Sequence, residues 1–190
     1  MKDVQTETAK KPFLTDVLEL RRRAREHMND GPVTSGYKAD RETALKLLNT
    51  ALATEIVCVL RYKRHYFSAQ GITADSVAAE FLQHANEEQA HADQIALRIT
   101  QLGGDPDFDP KHLAMNAHSE YVEGDSLIDM IREDLVAERI AIESYTEMIR
   151  YFGDDDPTTR RVLEEILAKE EEHADDMRDL LATIDPAQPL

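Results

Sequence analysis

Over four long stretches of this 190-residue chain, apolar residues recur every three or four positions, the spacing of helices that bury one face. The first predicted helix starts at Asp40, a capping residue type, and stops at Gly71. Its stripe is Leu45, Leu48, Leu52, Val59, Tyr62 and Tyr66. The second runs from about Thr73 to Leu102 and stops at Gly103-Gly104, with Val77, Phe81, His84, Glu88, His91, Ile95, Arg98 and Leu102 on one side. The third covers about 125–152 and shows Leu127, Ile131, Asp134, Glu138, Ala141, Tyr145, Met148 and Phe152 before Gly153. The fourth takes Asp156 as cap and Pro157 in its first turn. It carries Leu163, Ile166, Glu170, His173, Met177, Leu180 and Ile184. A shorter segment at 13–29 sets Leu14, Val17, Leu18, Ala24 and Met28 on one side, for docking outside the main helices or on a neighbouring subunit.

The connections organise these helices. The second and third are separated by about twenty residues rich in Asp and Pro, DPDFDPKHLAMNAHSEYVEG, a span suited to crossing the length of a bundle. Helices of this size are roughly 40–45 Å long. Two antiparallel pairs joined by one long crossover predict an all-α, antiparallel four-helix bundle over residues 40–184. It is preceded by an arm with a short helix (1–39) and followed by a tail (185–190).

Polar residues interrupt the buried stripes in a repeating way. EQAHAD at 88–93 recurs as EEEHAD at 170–175, so Glu88/His91 and Glu170/His173 each lie three apart on one helical face. A lone glutamate precedes each pair by a similar interval: Glu55 before the first, Glu138 before the second. A tyrosine follows each lone glutamate by seven residues, Tyr62 and Tyr145. The two halves of the chain read as one helical hairpin written twice. With 19 Glu and 7 His, one E-x-x-H is weak; two at matching stripe positions are not. Four unpaired carboxylates in a core would each cost several kcal/mol, enough to exhaust a domain's stability of roughly 5–15 kcal/mol. Two divalent cations would neutralise them, and two imidazoles would complete the coordination. The candidate metal ligands are therefore Glu55, Glu88, His91, Glu138, Glu170 and His173. Carboxylate and imidazole together suit Fe, Mn or Zn.

Charge and cysteine content narrow the classes. Eight basic and six acidic residues give positions 1–39 a net +2, so of the total of −16, residues 40–190 carry −18. Such a body repels nucleic acid and attracts cations. Only the arm, with RRRAR at 21–25, has the charge to touch DNA, and a solvated helix face is the simpler reading of it. The single cysteine, Cys58, excludes an intrachain disulfide and a Cys-rich zinc site. The N-terminus lacks the apolar core of a signal peptide, and no long apolar run stands out. The expected location is the cytoplasm, with no membrane partner.

On these residues the chain, over about 40–182, resembles the ferritin-like diiron-carboxylate superfamily, with bacterioferritin and the bacterioferritin-like members of the Dps-like group nearest. The resemblance implies a ferroxidase centre of two iron ions per subunit. Glu88 and Glu170 would bridge the metals, and Glu55 with His91 and Glu138 with His173 would be terminal. It implies Fe(II) and O2 or H2O2 as reactants and a homo-oligomer, either dimer or cage. Asp134 resembles an aspartate that hydrogen-bonds a ligand histidine. Tyr62 resembles a catalytic tyrosine beside the centre that donates an electron or a hydrogen bond; the alternative is a core tyrosine. His84, one turn before Glu88, either guards a path for metal, binds one transiently, or is merely partly buried. Gln89 replaces the methionine that ligates haem in bacterioferritin, so no haem is expected. After the fourth helix TIDPAQPL leaves no room for a fifth. Two rival functions share the pattern: a peroxide-consuming dimetal enzyme of manganese-catalase or rubrerythrin type, and a non-enzymatic, Dps-like DNA-coating assembly with structural metals.

Overall fold

The computed structural model describes residues 16–71 and 74–184; Leu14, Thr73 and the tail at 185–190 lie outside the described residues. Six α-helices are present among them, and no strand: α1 (Val17–Arg23), α2 (Arg41–Ser68), α3 (Ala74–Gln101), α4 (Pro110–Asn116), α5 (Leu127–Phe152) and α6 (Pro157–Ile184). Helices α2 and α3 pair along their length, as do α5 and α6. The α2–α5 and α3–α6 contacts close a four-helix bundle.

Local chemistry sets the ends. The Asp40 carboxylate accepts from the Thr43 N–H at 2.8 Å, Ser126 Oγ accepts from the Asp129 N–H, and Asp156 accepts from the Thr159 N–H at 2.9 Å. Helix α5 stops at Gly153, whose φ of 44° suits glycine and whose N–H reaches the Ile149 carbonyl. Helix α2 ends at Ser68, three residues before the expected glycine stop.

The crossover differs from the expected loop. Asp109-Pro110 starts the seven-residue helix α4, with the Asp109 carboxylate accepting from the Lys111 N–H, the cap-then-proline device that also opens α6. Side chains of α2 hold the whole connection down. Asn49 Oδ1 accepts from the Asp107 N–H, Thr54 Oγ1 accepts from the His118 N–H, and Arg61 Nη1 donates to the Glu120 carbonyl. At its start Gly104 lies so close to α2 that a Cβ there would fall 2.4 Å from Leu45 Cδ2.

The bundle core divides into two apolar clusters. One contains Leu48, Leu52, Ile95, Ile99, Met148, Phe152 and Leu163; the other contains Val77, Phe81, Met130, Ile131, Met177 and Leu181. Each fully buried side chain of this size contributes roughly 1.5–3 kcal/mol. Between them lies a polar layer. Helix α2 is long and apolar enough to cross a membrane by length and composition, because Lys46 and Glu55 are the only charges between Ala44 and Leu60. Its apolar face lines the bundle, and Glu55, Arg61 and His65 are buried on it.

The short N-terminal helix is confined to Val17–Arg23, and Val17, Leu18 and Leu20 are exposed on the single chain. Arg22 of the basic cluster pairs with Glu19 and Glu26.

A buried carboxylate–histidine centre

Each of the four long helices contributes to the polar layer: α2 gives Glu55, α3 gives Glu88 and His91, α5 gives Glu138, and α6 gives Glu170 and His173. All six are buried. Their ligand atoms form two groups, each within 4.8 Å: Glu55, Glu88, His91 and Glu170, and Glu88, Glu138, Glu170 and His173. Glu88 and Glu170 belong to both. Around the first, His91 Nδ1 lies 3.2 Å from Glu55 Oε2, 3.3 Å from Glu88 Oε2 and 2.9 Å from Glu170 Oε1. Around the second, His173 Nδ1 lies 3.2 Å from Glu88 Oε1, 3.6 Å from Glu170 Oε2 and 3.9 Å from Glu138 Oε2.

Two donors each about 2.1 Å from a shared tetrahedral ion stand about 3.4 Å apart, so these separations suit ligands around a cation. The hydrogen bonding points the same way. Both oxygens of Glu170 and Oε2 of Glu138 are buried without a well-aligned hydrogen bond, the nearest nitrogen being His91 Nδ1 at 2.9 Å from Glu170 Oε1, an arrangement that metal coordination would satisfy.

The tyrosines are exchanged between hairpins. Tyr62 on α2 donates its O–H to Glu138 on α5, and Tyr145 on α5 donates to Glu55 on α2. Each lone glutamate is thus oriented by the opposite half. Burial and the glutamates push both phenols well above their ordinary range.

Without metal, protons balance the charge. Burial, then the Glu88 and Glu170 charges, push Glu55 and Glu138 well above the usual carboxylate range. Burial also opposes charge on Glu88, but the hydrogen bonds of His173 and His91 outweigh it and hold its carboxyl well below that range. Burial and the Glu88 charge work against Glu170, where the same two imidazoles prevail and lower it. Burial would lower both histidines; the surrounding glutamates instead raise His91 far above its ordinary value and His173 to about 10.

Asp134 is fully buried one turn from Glu138, but the histidine it meets belongs to neither E-x-x-H pair. Its carboxylate accepts from Arg61 Nε at 2.8 Å and stands 2.8 Å from His65 Nδ1. Arg61 and His65 were not among the sequence candidates. Their signal is faint: two basic residues four apart, where Arg61 directly precedes the stripe residue Tyr62. His84 is also fully buried, with Nδ1 3.2 Å from the Tyr62 hydroxyl and its ring stacked on His173 at 4.0 Å between centroids. Burial and the His173 charge lower its pKa. Gln89, Asp93 and Asp175 are exposed on the outer face.

Fold and site together define a four-helix-bundle protein with a buried dinuclear metal-binding site of His and Glu ligands. Residues 45–186 match the ferritin-like domain family, and the chain belongs to it, within the ferritin-like diiron-carboxylate superfamily. It is 26% identical over 141 residues to a bacterioferritin of Desulfovibrio desulfuricans, covering 73% of this chain and 75% of that one. It is 32% identical over 133 residues to a nutrient stress-induced DNA-binding protein of Synechococcus, covering 67% and 74%. Among solved structures, the dodecameric thioferritin of Bacteroides fragilis, a bacterioferritin-related protein, superposes with a TM-score of 0.76 at 33% identity, covering 79% of this chain and 90% of that one.

Proposed function

We propose that the protein is a non-haem ferroxidase, which binds two Fe(II) ions within one chain and oxidises them to Fe(III) with O2 or H2O2 for iron storage or detoxification. The observation that carries this reading is the pair of overlapping ligand groups that share Glu88 and Glu170, with orphaned carboxylate oxygens in the shared layer. In it, Glu88 and Glu170 would be shared between the irons, Glu55 with His91 would hold one, and Glu138 with His173 would hold the other. Each Fe(II) gives one electron. O2 takes up two protons and leaves as H2O2, or H2O2 takes up two and leaves as two waters.

The chain's own groups supply four things. Four carboxylates favour the harder, more highly charged Fe(III) product over Fe(II). Tyr145 and Tyr62 fix the outer carboxylates, so the ligands are oriented before metal arrives. Tyr62, beside Glu138 and His84, is the phenol we assign as the local electron or hydrogen-bond donor. The two apolar clusters on either side limit water around the reacting ions.

The dodecameric relative supports a homo-oligomeric assembly for this chain as well. Exposed Val17, Leu18, Leu20 and Phe67 supply apolar surface for such contacts.

Fe(II) oxidation followed by ferric absorbance tests the central reading. Glu88→Ala removes a shared ligand and is expected to slow oxidation at least about hundredfold, since even residues that merely orient ligands are worth 10–100-fold. Equal rates in variant and parent would overturn it.

A further inference from the structure

On the α3–α6 side of the centre a second set of ligands lies between the buried layer and solvent. Glu80 and His84 on α3 and Asp176 on α6 bring three donor atoms within 4.8 Å of one another. His84 Nε2 is 3.4 Å from Glu80 Oε1 and 3.4 Å from Asp176 Oδ2, the separation of two donors around one tetrahedral ion. Yet Nε2 makes no hydrogen bond, although the ring is completely buried.

The other edge of the ring explains which nitrogen carries hydrogen in neutral His84. Tyr62 has one hydroxyl hydrogen and gives it to Glu138. The Tyr62 oxygen is therefore the acceptor at His84 Nδ1, so the hydrogen sits on Nδ1. Nε2 then points a lone pair between two carboxylates, with no proton to join them. A cation at that point would satisfy all three groups.

The molecule contains its own control. Counting from the two E-x-x-H pairs, the positions equivalent to Glu80, His84 and Asp176 are Val162, Ile166 and Gln94. The pseudo-symmetric site offers no carboxylate or imidazole. The polar trio is thus confined to one side, where a surface pocket of about 210 Å3 lined by Glu80, Asp176, Asp179, Leu180 and Thr183 leads to it.

We propose that Glu80, His84 and Asp176 form a third cation site, which takes a divalent first-row transition ion from solvent and passes it to the central pair. One imidazole and two carboxylates make three ligands, leaving positions open to water, as an ion in transit requires. A stepping stone lies inward: Glu87 Oε2 is 2.7 Å from His173 Nε2, and Glu87, His84 and His173 themselves bring donor atoms within 4.8 Å. The acidic outer face concentrates cations at the mouth. This site is independent of what the centre does with iron, but its loading role rests on the centre binding metal.

The test uses the full-length protein with Zn(II), and crystals measured on both sides of the zinc absorption edge. Three anomalous peaks per chain are expected, two in the centre and one against His84 Nε2. Glu80→Gln/Asp176→Asn, two partly exposed changes that leave the core intact, is expected to lose the third peak and keep the central two. Two central peaks only in the parent, or a third that persists in the variant, overturns the site. A third peak without central ones supports it and overturns the ferroxidase reading instead. Filling of the centre by Co(II), followed by ligand-field absorption, is expected to be about tenfold slower in the variant at equal final occupancy; equal rates overturn the loading role.

Discussion

The two hairpins supply the same metal-facing side chains and surround them differently. Glu55, Glu88 and His91 in one correspond to Glu138, Glu170 and His173 in the other, and Tyr62 corresponds to Tyr145. Outside that set the correspondence ends. Buried Asp134, four residues before Glu138, has Ala51 as its counterpart. Its partners Arg61 and His65 have Ser144 and Met148. Both tyrosines pack in apolar clusters, but Tyr62 also sits beside a charged network. A symmetric pair of metals needs the ligands repeated; it does not need two identical walls. One wall is free to hold the crossover through Arg61 and to open a polar way in through His84.

The largest expected effect breaks the charged wall. Asp134→Asn leaves Arg61, completely buried, without its countercharge, and is expected to lower unfolding stability by about 3–5 kcal/mol. Ser144→Ala, at the counterpart of Arg61, removes only an exposed contact with His118 and should cost about 1 kcal/mol or less. Denaturant titration of the metal-free proteins compares them. Similar midpoints for the two variants would show that the walls are energetically alike.

The next effect probes where the halves agree, in sharing protons when metal is absent. His173 is raised from 6.5 to about 10, so its protonation stabilises the metal-free fold fully below pH 6.5. That contribution is lost as pH climbs to about 10. Glu55 and Glu138, raised from 4.5, act with the same sign and begin to lose theirs at lower pH. Bound cations replace these protons, so metal affinity should rise as pH rises. The melting temperature of metal-free protein is expected to fall between pH 6.5 and 10, while the increment given by Zn(II) widens. A metal-independent pH profile would contradict the proton-balanced cluster.

This comparison also marks how far the sequence could be read. Helical period places Glu55, Glu88, His91, Glu138, Glu170 and His173 on inward stripes, and repetition makes the pattern specific. Period gives a face, however, and not a partner. Tyr62 and Glu55 share a stripe, but the Tyr62 hydroxyl meets Glu138 across the bundle. Asp134 reads from its spacing as a neighbour of the ligands. Its choice of Arg61 and His65 over His91 or His173 depends on how α2 and α5 pack. Helix α4 was legible in principle, because Asp109-Pro110 repeats the Asp156-Pro157 start. Its seven residues carry too short a stripe to announce a helix.

The smallest effect separates the two tyrosines, and it distinguishes a positioning role from a redox one. Both phenols hold an outer glutamate, so if that were all they did, Tyr62→Phe and Tyr145→Phe would slow Fe(II) oxidation equally. Their surroundings differ. The Tyr62 oxygen also accepts from His84, and the Arg61 guanidinium carbon stands 5.9 Å from the centre of its ring. Tyr145 packs among Leu52, Met148 and Ile166. Loss of the Tyr62 hydroxyl frees Glu138 and leaves His84 Nδ1 without its acceptor. Tyr62→Phe is therefore expected to slow oxidation about tenfold and Tyr145→Phe about threefold, both within the range for residues that orient metal ligands. A phenoxyl radical signal seen by electron paramagnetic resonance during turnover, absent in Tyr62→Phe and retained in Tyr145→Phe, would identify Tyr62 as the electron donor. Equal slowing with no radical in the parent would reduce Tyr62 to the same positioning role as Tyr145, and the difference between the walls would then concern metal access and stability alone.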